Sequence, residues 1–119
     1  MNHDTVSQIV ESVVKQVLAA PASNDMTLDV ARRLIEKARA RAAEMGVKAV
    51  VAISNRAARP VAVECMDDSY IASYDIAVNK AFTAVSLKMP TTKLKELAHP
   101  GASLYGIQFT NNGNIVIFG

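Results

Sequence analysis

The chain has 119 residues, half of them hydrophobic and a fifth charged, with a net charge of +2. That length suits one domain around one core, and the apolar fraction excludes a disordered chain. The weak charge bias, with no Lys/Arg run interleaved with aromatics, argues against nucleic acid, and no apolar run approaches the roughly 18 residues of a membrane span.

Residues 5–19 (TVSQIVESVVKQVLA) put Val6, Ile9, Val10, Val13, Val14, Val17 and Leu18 on one side at helical spacing. Ser7, Glu11, Ser12, Lys15 and Gln16 fill the other. The many β-branched residues weaken helix preference, so this helix needs a surface to lie on. It is either the domain's own first helix or a docking helix for another protein's groove. His3, Asp4, Glu11 and Lys15 break the apolar core that a secretory signal would need, so the expected location is cytoplasmic. Pro21 ends the helix, and Ala22-Ser23-Asn24-Asp25 reads as a linker, giving a unit over 1–25 ahead of a domain over 26–119.

Thr27 is the expected N-cap of a second helix over 28–45, with Asp29 in its first turn. Leu28, Ala31, Ile35, Ala38, Ala42 and Met45 form its apolar stripe, and Gly46 ends it as a C′ residue. The cations Arg32, Arg33, Lys37, Arg39 and Arg41 read as a solvated face, with an anion patch as the alternative. Lys48–Ser54 (KAVVAIS) and Pro60–Met66 (PVAVECM) read as a hairpin with a five-residue loop. Cys65, the single cysteine, excludes an internal disulfide and is expected as a small buried hydrophobe.

Asp67-Asp68-Ser69 resembles a helix start, and Tyr70 to Lys88 is apolar or small on nearly every side. Such a helix is buried on more than one face. In a domain this small the second cover is often another subunit, so an oligomer is expected. Asp75 and Asn79 share a face, while Lys80 lies about 140° from Asp75 around the helix. These polar groups either tether loops and subunits or floor a ligand pocket. Pro90 closes the helix, and Thr91/Thr92 begin a short turn over 93–98. After the His99-Pro100-Gly101 corner, Leu104–Thr110 and Ile115–Phe118 read as strands joined at the Asn-Gly pair 112–113.

No zinc spacing, P-loop, dinucleotide glycine pattern or nucleophile elbow is present. His99 is the better placed of the two histidines, as a metal or haem ligand or as a solvent-facing loop residue. Tyr70, Tyr74 and Tyr105 line an aromatic pocket or belong to the core.

The segments DIAVNKAFTAVSLKMPT (75–91), ELAHPGASLYGIQ (96–108) and NNGNIVIFG (111–119), preceded by residues 26–47, resemble the GlcG/HbpS-like family, the haem-degrading domain also found at the C-terminus of PduO-type proteins. The resemblance implies an α+β fold, with an antiparallel sheet of about four to five strands flanked by helices. It implies homo-oligomers, dimers building to larger even assemblies. It further implies binding of haem, or of a cobalamin-like tetrapyrrole, and a setting in glycolate or diol metabolism that includes bacterial microcompartments. Residues 5–19 are then similar to the encapsulation peptides that bind shell proteins. The chain departs from the family in two ways. Asn55-Arg56-Ala57-Ala58 stands where relatives carry Asp-x-Gly-Gly, which implies a different loop because alanine resists positive φ. The resemblance also implies a final strand and helix after "IFG", which the domain is expected to lack, with a partner supplying their cover as the alternative.

The expected function is therefore a homo-oligomeric tetrapyrrole-binding accessory protein. His99 would be the metal ligand, with Thr91, Thr92, Tyr105 and Met89 lining the cofactor site. The alternatives are a small-molecule enzyme using Asp75 and Lys80 as an acid–base pair, and a structural component recruited to a shell.

Overall fold

The computed structural model of the chain describes Gln8 and residues 24–119. The helix expected over 5–19 lies outside the described residues, Gln8 excepted.

Helix α1 spans Leu28–Glu44. Thr27 is extended, and its hydroxyl accepts from the Val30 amide at 3.2 Å, satisfying one of the free N–H groups of the first turn. The buried face is Ala31, Ile35 and Ala42, a four-and-seven spacing that lays α1 across both strands of the hairpin. Leu28, Ala38 and Met45 of the expected stripe stay exposed. At the far end the Gly46 amide donates to Ala43 O and the Val47 amide to Ala42 O, with Gly46 at φ 70°. That pair of bonds is a Schellman motif, and it needs the left-handed backbone that glycine adopts without strain.

Strands β1 (Val50–Ser54) and β2 (Pro60–Cys65) pair antiparallel, Val50 opposite Cys65 and Ile53 opposite Ala62, with an irregularity between Ile53 and Ser54. In the loop the Asn55 side-chain oxygen accepts from the amides of Ala57 (3.0 Å) and Arg59 (3.1 Å). Ala58 takes φ 61°. The expectation that alanine keeps out of positive φ here is thus corrected. Asn55 satisfies the turn's amides, and Ala58 accepts the left-handed conformation that glycine would hold more easily. Asp25 reaches the same loop, accepting from the Arg56 amide at 2.8 Å and from its neighbour Met26 at 2.7 Å. Cys65 is exposed, not buried, because it closes β2 at the edge of a cleft.

Helix α2 spans Ile71–Leu87 and begins at Tyr70. The acidic run before it forms a turn and does not cap: Ser69 donates to Met66 O and Asp68 has φ 65°. The helix ends at Lys88, left-handed at φ 57°, with the Met89 amide donating to Ala84 O. It packs mainly on β1. Burial on several faces is not observed: Thr83 alone is fully buried in this helix, and Ile71 is 99% exposed. The sheet covers one side of α2, and nothing among the described residues closes over the Tyr70–Ile71–Tyr74 end.

Helix α3 (Thr91–Ala98) starts directly after Pro90. Leu94 and Ala98 are buried with Ile115, and Phe82, Leu87, Met89, Ile107 and Ile117 pack around them. The two strands expected over 104–118 are replaced by turns. Tyr105, Ile107, Phe109, Thr110, Gly113 and Asn114 each donate to the carbonyl three residues back, so the amides a ladder would use are satisfied locally. Left-handed Gly106, Asn111, Asn112 and Gly113 curl the chain. The class is α+β as expected, but among the described residues the sheet has two strands rather than four to five.

Candidate functional site

Helix α3 has two faces. Leu94 and Ala98 point into the core. Thr92, Lys95, Glu96 and His99 recur at three- and four-residue spacing on the opposite face. Together with Phe118 and Gly119 they line a cleft of about 530 Å³. The cleft joins two of the expected site residues, Thr92 and His99. Thr91 is half-buried beside it at the start of α3. Met89 is committed to the core cluster, and Tyr105, exposed, lies outside the cleft lining.

His99 is extended at φ −70°, ψ 161°, the conformation favoured before proline. Pro100-Gly101 then turns the chain, with Ala102 N donating to His99 O at 2.9 Å and Gly101 at φ 91°, an arrangement suited to a type II turn. The imidazole Nδ1 lies 2.9 Å from Pro100 O. A carbonyl only accepts, so Nδ1 is the donor in this contact, and in the neutral form of the ring the lone pair is left on Nε2. Lys95 and Glu96 set opposite charges on the same cleft wall.

Lys80 and Asp75 do not form a pair. The Asp75 carboxylate accepts from the Asn79 amide group at 3.2 Å. The Lys80 ammonium donates to Gly119 O at 2.8 Å and sits 4.7 Å from the centre of the Phe118 ring. The turn of helix between the two residues, noted from the sequence, sends their side chains to different partners.

Two further clefts flank the hairpin. One, about 490 Å³, lies between α1 and β2 and is lined by Cys65 with Glu36, Arg39, Lys48 and Asp67. The other, about 550 Å³, lies between β1 and α2 and takes in Tyr70, Ser73, Lys48 and Lys80. Among the described residues no three His, Cys, Asp or Glu side chains converge as a metal-holding group. No helix there is long and apolar enough to cross a membrane.

The residues that sequence reasoning missed are Lys95, Glu96, Phe118 and Gly119. The first two were within reach, since 92, 95, 96 and 99 share one helical face. The last two come from a distant segment, and no local pattern signals their arrival.

Comparison with protein families matches residues 26–119 to the family described as haem degrading protein HbpS-like. Among curated proteins the chain is 38% identical over 94 residues to an uncharacterised 15.0 kDa protein from the dhaT-dhaS intergenic region of Citrobacter freundii, covering 79% of this chain and 66% of that protein. It is 33% identical over 121 residues to the corrinoid adenosyltransferase PduO of Salmonella typhimurium, covering 95% of this chain and 36% of that protein. The chain thus spans just under two thirds of the first relative and little over a third of the second. Among solved structures, Klebsiella pneumoniae protein ORFY superposes with a TM-score of 0.76 at 34% identity, over 85% of this chain and 70% of that one. A PduOC:haem complex superposes with a TM-score of 0.71, also at 34% identity, over 74% and 64%.

Proposed function

From the premise that this chain belongs to the HbpS-like family of haem-degrading proteins, we propose that it is a homo-oligomeric accessory protein that binds haem in the cleft between α3 and residues 118–119. The observation that carries the reading is the 2.9 Å contact between His99 Nδ1 and Pro100 O. An imidazole whose Nδ1–H is held by a backbone carbonyl presents Nε2 as a metal ligand, the orientation that metal-bound histidines use. A single donor suits haem, whose macrocycle supplies the other in-plane ligands, better than a bare ion that needs three or four protein groups. The remaining lining fits the same group. Phe118 offers an apolar face, and Lys95 offers a cation to a propionate. The superposable PduOC structure, a haem complex, supports the ligand class.

Bound haem supplies the ligand-binding and redox chemistry of its iron. The chain holds the imidazole in one tautomer, orients the ring through the Pro100 corner and covers one face of the cleft with Phe118. Titrating haemin into the protein is expected to produce a Soret band, with the band displaced or lost in His99→Ala. Identical spectra in the two proteins would reject His99 as the ligand. A corrinoid titrated in parallel separates haem from the cobalamin-like ligand that the name of the PduO relatives brings to mind.

Assembly belongs to the same reading. The uncovered apolar end of α2 is closed by a second copy, and residues 5–19 address the oligomer to a microcompartment shell. Residues 1–25 fused to a fluorescent reporter should form puncta in shell-expressing cells, and a diffuse signal counts against that address.

A further inference from the structure

Segment 115–119 joins no ladder, yet it delivers Phe118 and Gly119 to the His99 cleft. Two residues of α2, three positions apart, hold it. Thr83, fully buried, accepts from the Val116 amide at 2.9 Å and donates to Asn79 O at 2.7 Å, with Asn114 O a second acceptor at 3.2 Å. One turn earlier, Lys80 meets the end of the segment through Gly119 O and the Phe118 ring. Thr83 fixes where the segment starts, and Lys80 fixes how its last two residues lie.

We propose that Lys80 is a positioning residue for the His99 cleft, its ammonium setting the Phe118 ring and the Gly119 backbone oxygen as the wall against which a flat tetrapyrrole rests. The inference deepens the haem reading and rests on it. Phe118 is 46% exposed, so packing alone leaves the ring free to turn. A cation 4.7 Å from the ring centre, itself anchored by a 2.8 Å bond, restrains it. An ammonium engaged in this way is not a propionate partner, which leaves that role to Lys95.

The test uses the whole chain. In haemin titrations Lys80→Met, which keeps length and apolar bulk, is expected to weaken affinity about tenfold. Its Soret maximum should match that of the wild type, because His99 still ligates. Lys80→Arg, which restores cation and donor, should bind within about twofold of wild type. A second measurement needs no haem. The chain has no tryptophan, so Phe118→Trp places a single indole in the wall. Adding Lys80→Met should then move its emission to longer wavelength as the ring swings into water. Equal titrations of wild type and Lys80→Met, or an unmoved emission, overturn the positioning role alone. A wild type that shows no Soret band overturns the haem reading and this role with it.

Discussion

Ala58 and Lys88 sit in the left-handed region at φ 61° and 57°, where a Cβ costs roughly 1 kcal/mol. Glycine removes that strain but loses more backbone freedom on folding, so the net gain is smaller. Ala58→Gly and Lys88→Gly are each expected to raise the thermal midpoint by a few degrees, measured by circular dichroism. Gly46→Ala, at a Schellman position of the same kind, should lower it. Asp25 gives a pH-dependent counterpart. The Arg56 amide, the Met26 amide and the Arg56 charge together hold its carboxyl below the ordinary 3.8, against a smaller upward push from desolvation. A depressed folded-state pKa stabilises fully above the unfolded value and fades as pH falls through the folded one. The midpoint difference between wild type and Asp25→Asn should therefore be constant above about pH 5 and shrink as the pH falls below about 4. These residues show why local chemistry is only partly legible. Thr27 and Gly46 carry capping signals that residue type declares, whereas Ala58 and Lys88 adopt a conformation that theirs disfavours.

At the level of elements, α1, the hairpin and α2 were readable because periodicity and punctuation agreed: Thr27 and Gly46 bracket α1, Pro60 opens β2, and Pro90 ends α2. The short turn expected over 93–98 is instead the helix α3, Thr91–Ala98. Residues 104–118 misled. Strand-forming residues such as Ile115, Val116 and Ile117 register a preference for half-buried apolar surroundings, and α3 with α2 supplies those without a ladder. The tight seat of this segment on α3 is testable. A Cβ built on Gly119 would lie 2.5 Å from the Thr92 methyl, closer than atoms pack. Gly119→Ala should lower both the thermal midpoint and haem affinity. Thr92→Ser, which deletes that methyl while keeping the hydroxyl, should restore most of the loss in the double variant. Equal losses with and without the methyl would remove the contact from the account.

Across the whole molecule, apolar side chains of the Tyr70–Ile71–Tyr74 end, joined by Tyr105 and Phe109 elsewhere, remain exposed. The even hydrophobicity of α2 announced that this helix wants cover on several sides; which chain provides it is information a single sequence does not hold. With assembly through this end, Ile71→Glu is expected to shift sedimentation towards the monomer. It should leave the circular dichroism spectrum unchanged, because an almost fully exposed side chain does little for its own fold. A wild type that sediments as a monomer would contradict the assembly. Thr83 has one more consequence at this scale. Among the described residues, Val116 is the one position from Ile115 to Gly119 whose amide donates a hydrogen bond. Deuterium uptake along this stretch should show one slow site between fast neighbours. Thr83→Val, by taking away the Val116 acceptor, should bring that position's exchange up to its neighbours'.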